Sequence, residues 1–328
     1  MILNLDPIQF WMMTNLNSFL SRSKQLLIIV AELPFLSLDP VEKFLITCKC
    51  PIIIESLSQL RQRPALYSRI INDNDINLDD YTHVLRIGGM PVTSVWRQLS
   101  KRSDIEIVSL SHLPFVGLPN GQLIETETDY RGLSNFETNI TGSEPNTLVL
   151  KKECCDYDAS PHSEKSMIHY LSQQIPHSSV LYLGNSLSIR HWEKGATYDD
   201  KAFKVYGSRG VNGIDGQLST FLGVSQPDIE NWCIVGDLTA LYDLNAPWVL
   251  SQLPDLVIRI VIIHNGGGQI FSTLFPKHPS LLNAHGIQFK DWAAMWTMDY
   301  LELRDVRDLD SDQLAQRQVI VLKPEKGF

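Results

Sequence analysis

Asp237 follows a glycine at the end of one apolar run, and Asn265 follows a histidine at the end of the next. An aspartate carboxylate, an asparagine carbonyl and a nearby backbone carbonyl are hard oxygen donors. That set suits an octahedral magnesium that also takes oxygens from a diphosphate. Glycines at 266, 267 and 268 let the backbone approach phosphate closely and accept a left-handed φ. The plainer alternative is that Asp237 caps a helix and the glycine run is a turn. A Ser-His-Asp set can also be assembled from Ser186, His264 and Asp237. No GxSxG surrounds the serine, however, and spacing alone supports no nucleophile. His264 fits a packed core histidine equally well and is left out of the chemistry.

Donors from two loops meet only if adjacent parallel strands bring their ends together. The first half supplies short apolar, β-branched runs at Gln25 to Leu33, Pro51 to Leu57, Thr82 to Gly89, Ile105 to Ser111 and Thr147 to Lys151, alternating with helical patterns. The second half repeats the rhythm at Ser179 to Leu183, Lys204 to Tyr206, Trp232 to Val235, Leu256 to Ile263 and Gln318 to Leu322. Such alternation implies βαβ units around parallel sheets. The glycine, acid and amide residues cluster just after the second-half strands, where sheets of this kind bind ligands. A polar stretch from Asp156 to Ser163 precedes a helical pattern, Glu164 to Gln174, with Met167, Ile168 and Leu171 on one face. The domain boundary is expected there.

Composition bounds the rest. With 328 residues, 44% hydrophobic and 20% charged, the chain is globular in character and long enough for two domains. No apolar run approaches the roughly 20 residues that span a bilayer, and no signal pattern opens the chain, so a cytoplasmic protein without membrane insertion is expected. A net charge of −9 with scattered basic residues argues against nucleic acid. Cys48 and Cys50, and the adjacent Cys154 and Cys155, have neither zinc nor redox spacing and are read as reduced thiols.

A Gly-Asp pair with a later Asn, one strand-helix-strand crossover apart, resembles the bipartite fingerprint of thiamine-diphosphate (ThDP) enzymes. In that family an aspartate, an asparagine and a backbone carbonyl hold the metal, which places those roles on Asp237, Asn265 and the Gly267 carbonyl. His264 stands where many members carry a first asparagine, and Leu238 where many carry glycine. Four segments are similar to one branch, the 2-succinyl-5-enolpyruvyl-6-hydroxy-3-cyclohexene-1-carboxylate synthases of menaquinone biosynthesis. They are Gly184 to Arg190 (GNSLSIR), Ser208 to Gly216 (SRGVNGIDG, then Leu218-Ser219-Thr220), Gly236 to Asn245 (GDLTALYDLN) and Gly267 to Ser272 (GGQIFS).

The resemblance implies an α/β protein of two parallel-sheet, three-layer domains. Residues 1–155 would be the central domain and 156–328 the diphosphate-binding domain, with the amino-terminal pyrimidine-binding domain absent. It implies ThDP and Mg2+ (or Mn2+), decarboxylation of 2-oxoglutarate, and addition of the succinyl unit to isochorismate. Gly236, Leu238 and Gln269 would touch the cofactor, and Ile214 would wedge it into its bent form, unless Ile214 is ordinary core. Arg190 and Arg209 would grip substrate carboxylates, with surface ion pairing as the alternative. Ser186 would hydrogen-bond substrate or else cap a helix. Ile270, Phe271 and Leu274 would wall off water or else belong to the core. A homo-oligomer, completed by a separate pyrimidine-binding chain, is expected. The branch usually carries lysine and arginine where Ser94 and Val95 stand, which puts one substrate contact in doubt. Two other readings remain: a non-catalytic relic or ThDP-binding scaffold, and a different ThDP decarboxylase or carboligase.

Overall fold

The structure, a computed structural model, describes residues 7–136, 157–211 and 213–325. The chain divides into two compact units, Met1–Cys154 and Cys155–Phe328. The residues read as a strand at 147–151, and Cys154 and Cys155, lie outside the described residues.

In the first unit β1 (Leu26–Val30), β2 (Ile52–Ile54), β3 (His83–Ile87), β4 (Glu106–Ser111) and β5 (Gly121–Glu125) form a parallel sheet in the order β2-β1-β3-β4-β5. Every residue of β1 is buried, as expected of a strand covered on both faces. One face packs on α3 (Ser94–Leu99) through Leu27, Ile29, Val84, Val95 and Trp96. On the same face Arg86 is fully buried. Its guanidinium donates to Ser109 Oγ at 3.0 Å, the Gly89 carbonyl at 2.8 Å and the Phe115 carbonyl at 3.1 Å, and it lies over the Trp96 and Phe115 rings. The remaining helices are α1 (Pro7–Arg22) and α2 (Leu38–Thr47). Cys48 and Cys50 are buried and not in a disulfide, and burial pushes the Cys50 thiol up.

The second unit carries β6 (Val180–Leu183), β7 (Lys204–Tyr206), β8 (Glu230–Gly236), β9 (Val257–Ile263), β10 (Asp299–Leu303) and β11 (Arg317–Leu322), all parallel, in the order β10-β11-β9-β8-β6-β7. Its helices are α4 (Glu164–Gln174), α5 (Leu187–Gly195), α6 (Gln217–Val224), α7 (Asp237–Leu241), α8 (Ile270–Leu274) and α9 (Lys290–Met295). Alternate strand residues such as Tyr182, Cys233, Val235, Ile260 and Val319 point to one face and pack with α6, α7 and α9. The intervening residues, Leu181, Leu183, Trp232 and Ile234 among them, are equally buried on the side of α4 and α5, whose inner faces carry Met167, Ile168, Leu171, Ile189 and Trp192. Three layers result. The expected α4 begins where its Ser163 cap accepts the Ser166 N–H at 3.2 Å.

From β6 the chain crosses to β7 on one side, then returns to β8 on the other. That reversal opens a crevice outside the carboxyl ends of β6 and β8, the place where open parallel sheets take ligands. Two strands were missed from sequence, β5 and β10, both at sheet edges and partly exposed. Among the described residues no helix is long and apolar enough to cross a membrane.

Candidate functional site

Gly236 of β8 pairs with Ile263 of β9, so Asp237 and His264 emerge side by side. Asp237 is 1% exposed and its carboxylate is enclosed by donors. Oδ2 accepts the Gly266 N–H at 2.8 Å, the Gly267 N–H at 3.1 Å and His264 Nδ1 at 3.1 Å, while Oδ1 accepts the Leu238 N–H at 2.7 Å. The cap alternative thus describes only Oδ1. The other oxygen ties the β8 loop to the glycine turn after β9, so the two halves of the motif form one structure.

Gly266 and Gly267 have φ of +85° and +132°. A Cβ on Gly267 would run into the Leu282 carbonyl, so glycine is required there for close approach as well as for conformation. The Gly267 carbonyl accepts the Gln269 N–H at 2.8 Å and keeps a second lone pair. Gln269 Nε2 donates to the Asn265 carbonyl at 3.2 Å and braces the turn. The Asn265 side-chain oxygen, Oδ1, is buried with no hydrogen-bond partner among the described residues. A buried carboxylate, a backbone carbonyl with a spare lone pair and an amide oxygen without a partner among the described residues, all at one strand-end turn, are hard oxygen donors and fit a hard metal ion.

The loops after β6 and β7 are laced together by Asn185 and Gln217. Asn185 Nδ2 donates to the Ser208 and Gly213 carbonyls at 2.8 and 2.7 Å, and its N–H donates to Gln217 Oε1 at 2.9 Å. Arg209, half-buried, donates to Asn185 Oδ1 at 2.9 Å, and Arg190 on α5 donates to the Ser186 carbonyl. Ser186 precedes α5, but its side chain makes no capping hydrogen bond, and its φ of +72° with ψ of −130° is a conformation glycine would favour. Strain of this kind costs on the order of 1–3 kcal/mol and concentrates at ligand sites. Beside this loop Ser208 shares a 2.7 Å hydrogen bond with the Tyr182 hydroxyl, and burial pushes the Tyr182 phenol up to about 12.

Ile214, Leu238, Ile270 and Phe271 are half-buried and lie outside the fully buried core, while Gly236 has open space where a Cβ would project. Phe271 packs against Gly268. The side chain of Leu274 lies outside the described residues. In the first unit Val95 is core, 1% exposed, and Asp73 holds Ser94 by accepting its N–H at 2.9 Å.

Sequence reasoning missed several participants. His264 bonds Asp237 instead of merely packing, and His285 stacks on His264 with ring centroids 5.6 Å apart and Nε2 3.5 Å from Asp237 Oδ2. A cavity of about 420 Å³ beside them is lined by His162, His264, Asn265, His285, Arg304 and Lys323 among others. Glu164, far off in sequence, reaches Asn265.

No protein-family model matches the chain. Curated relatives do. A 2-succinyl-5-enolpyruvyl-6-hydroxy-3-cyclohexene-1-carboxylate synthase of Bdellovibrio bacteriovorus is 37% identical over 97% of this chain and 62% of its own length. Synthases of the same name from Akkermansia muciniphila and Lysinibacillus sphaericus are 32% and 28% identical, covering 85% and 90% of the chain and 55% and 57% of their own lengths. The chain therefore spans between about half and two-thirds of these relatives. A solved structure described as a thiamin diphosphate-dependent enzyme from Mycobacterium smegmatis has the same fold, with a TM-score of 0.65 and 15% identity over 95% of this chain and 63% of that one.

Proposed function

From the chain's sequence kinship with the 2-succinyl-5-enolpyruvyl-6-hydroxy-3-cyclohexene-1-carboxylate synthases, which runs along nearly its whole length, we propose that it carries the metal and diphosphate half of a ThDP-dependent transferase. The substrates under this reading are 2-oxoglutarate and isochorismate, the working form is a homo-oligomer, and a pyrimidine-binding domain completes the site. One observation carries it: buried Asp237 is bonded across to Gly266 and Gly267, and in the same turn the side-chain Oδ1 of Asn265 is buried without a hydrogen-bond partner among the described residues.

Asp237, Asn265 and the Gly267 carbonyl would hold Mg2+ or Mn2+, and the metal would neutralise the diphosphate. ThDP supplies the electron sink for decarboxylation. The chain's own residues supply the rest. Gly236, Leu238 and Gln269 frame the cofactor, and Ile214 presents an apolar surface against it. Arg190 and Arg209 offer planar, permanent charges to carboxylates, and Ser186 offers a hydroxyl from a pre-strained backbone. Ile270, Phe271 and Leu274 exclude water from the reacting centre. These residues lie at the carboxyl ends of β6 to β9 or in the chain segments that follow them.

A second reading, cofactor binding without turnover, draws on Ser94 and Val95. Where the family carries cationic substrate contacts, this chain has a helix start held by Asp73 and a core valine. Calorimetry with ThDP tests the shared premise. Binding should require Mg2+ or Mn2+ and vanish with a chelator, whereas metal-independent binding would remove the metal from the account.

A further inference from the structure

Glu164 is the first residue of α4, where a carboxylate ordinarily complements the helix dipole. Its contacts are more specific than that. Oε2 accepts from Asn265 Nδ2 at 3.1 Å, Oε1 lies 2.8 Å from His191 Nδ1 on α5, and the side chain is 14% exposed. A carboxylate only accepts, so the Asn265 amide must turn its NH2 toward Glu164 and its carbonyl away. The oxygen thus turned away is Oδ1, buried and without a hydrogen-bond partner among the described residues. With Glu164 absent the amide could rotate and satisfy itself differently, and the oxygen needed for a cation would be lost to the site.

We propose that Glu164 is a positioning residue that fixes the Asn265 amide in the orientation presenting Oδ1 to the divalent cation. The inference rests on the metal reading above and adds an outer partner to it. Outer partners of this kind typically change metal affinity by about 10–100-fold when removed.

The experiment titrates the full chain with Mn2+ in the presence of ThDP, following free Mn2+ by electron paramagnetic resonance. Asp237→Ala serves as the reference variant. Glu164→Ala should weaken Mn2+ binding by about tenfold or more, while Glu164→Gln, whose amide oxygen still accepts from Asn265, should recover most of it. A purely structural role would lower the melting temperature without separating these two variants in metal affinity. Should Glu164→Ala fail to fold, Glu164→Leu replaces it. Its loss of Mn2+ affinity should vanish in an Asn265→Asp background, where there is no amide to orient, and an equal loss there would overturn the proposal. Loss of metal in Asp237→Ala with wild-type affinity in Glu164→Ala would also overturn it while leaving the metal site standing. Wild-type affinity in Asp237→Ala would instead remove the metal site itself.

Discussion

Arg190 and Arg209 carry the sharpest residue-scale expectation. Each already donates one hydrogen bond inward, Arg190 to the Ser186 carbonyl and Arg209 to Asn185 Oδ1, so each guanidinium is oriented before substrate arrives. Lysine keeps the charge but loses the planar fork. Under the proposed function, in an enzyme reconstituted with a pyrimidine-binding domain, changing either to lysine should lower kcat/KM for 2-oxoglutarate or isochorismate by roughly ten- to hundredfold, the equivalent of about 1.5–3 kcal/mol, with ThDP affinity unchanged. Kinetics with each substrate varied in turn measure this, and wild-type values in both variants would return the arginines to surface pairing. Asp237 and Asn265 were legible because each stands in a short motif directly after or near a strand end. Glu164 and His285 were not. Each meets the site only through folding, Glu164 from the start of α4 and His285 from the loop before α9, and neither sits in a recognisable motif.

At the scale of elements, what could be read followed burial. β1 and β9 are apolar along nearly their whole length because helices cover both faces, and such runs stand out in a sequence. β5, with Gly121, Gln122 and Glu125, and β10, with Asp299 and Glu302, are edge strands whose polar residues face solvent, so the hydrophobic signal fails there. The helix Glu164–Gln174 was legible from its apolar spacing, and its serine cap appears only in the structure. Arg86 shows an element held by a buried charge. Burial pushes its guanidinium down to about 10, so it stays charged at neutral pH only at a cost, offset by two carbonyls, a hydroxyl and two ring faces. Its folded pKa lies below the unfolded one, so this cost is present at neutral pH and would be relieved only as pH rises above that value. Arg86→Lys cannot reach all three acceptors and should cost roughly 2–4 kcal/mol, read as a lower midpoint in denaturant unfolding. An unchanged midpoint would show that the lace around the end of β3 contributes little.

For the whole molecule, the reversal in strand order of the second unit opens a crevice between β6 and β8 and brings the GNS and GDL segments, far apart in sequence, to neighbouring strand ends. The fold class was readable from strand rhythm alone, whereas the locking of loops by Asn185 and Gln217 was not, since buried amides carry no periodic signal. Under the proposed function the Asp237 carboxylate would hold the metal that in turn holds the diphosphate. Calorimetry of ThDP with Mg2+ against Asp237→Asn tests it most directly, because asparagine keeps the shape and still accepts from Gly266 and Gly267 while losing the charge. The metal-dependent part of ThDP binding should disappear in the variant with the fold intact by circular dichroism. Undiminished Mg2+-dependent binding in Asp237→Asn would contradict the assignment.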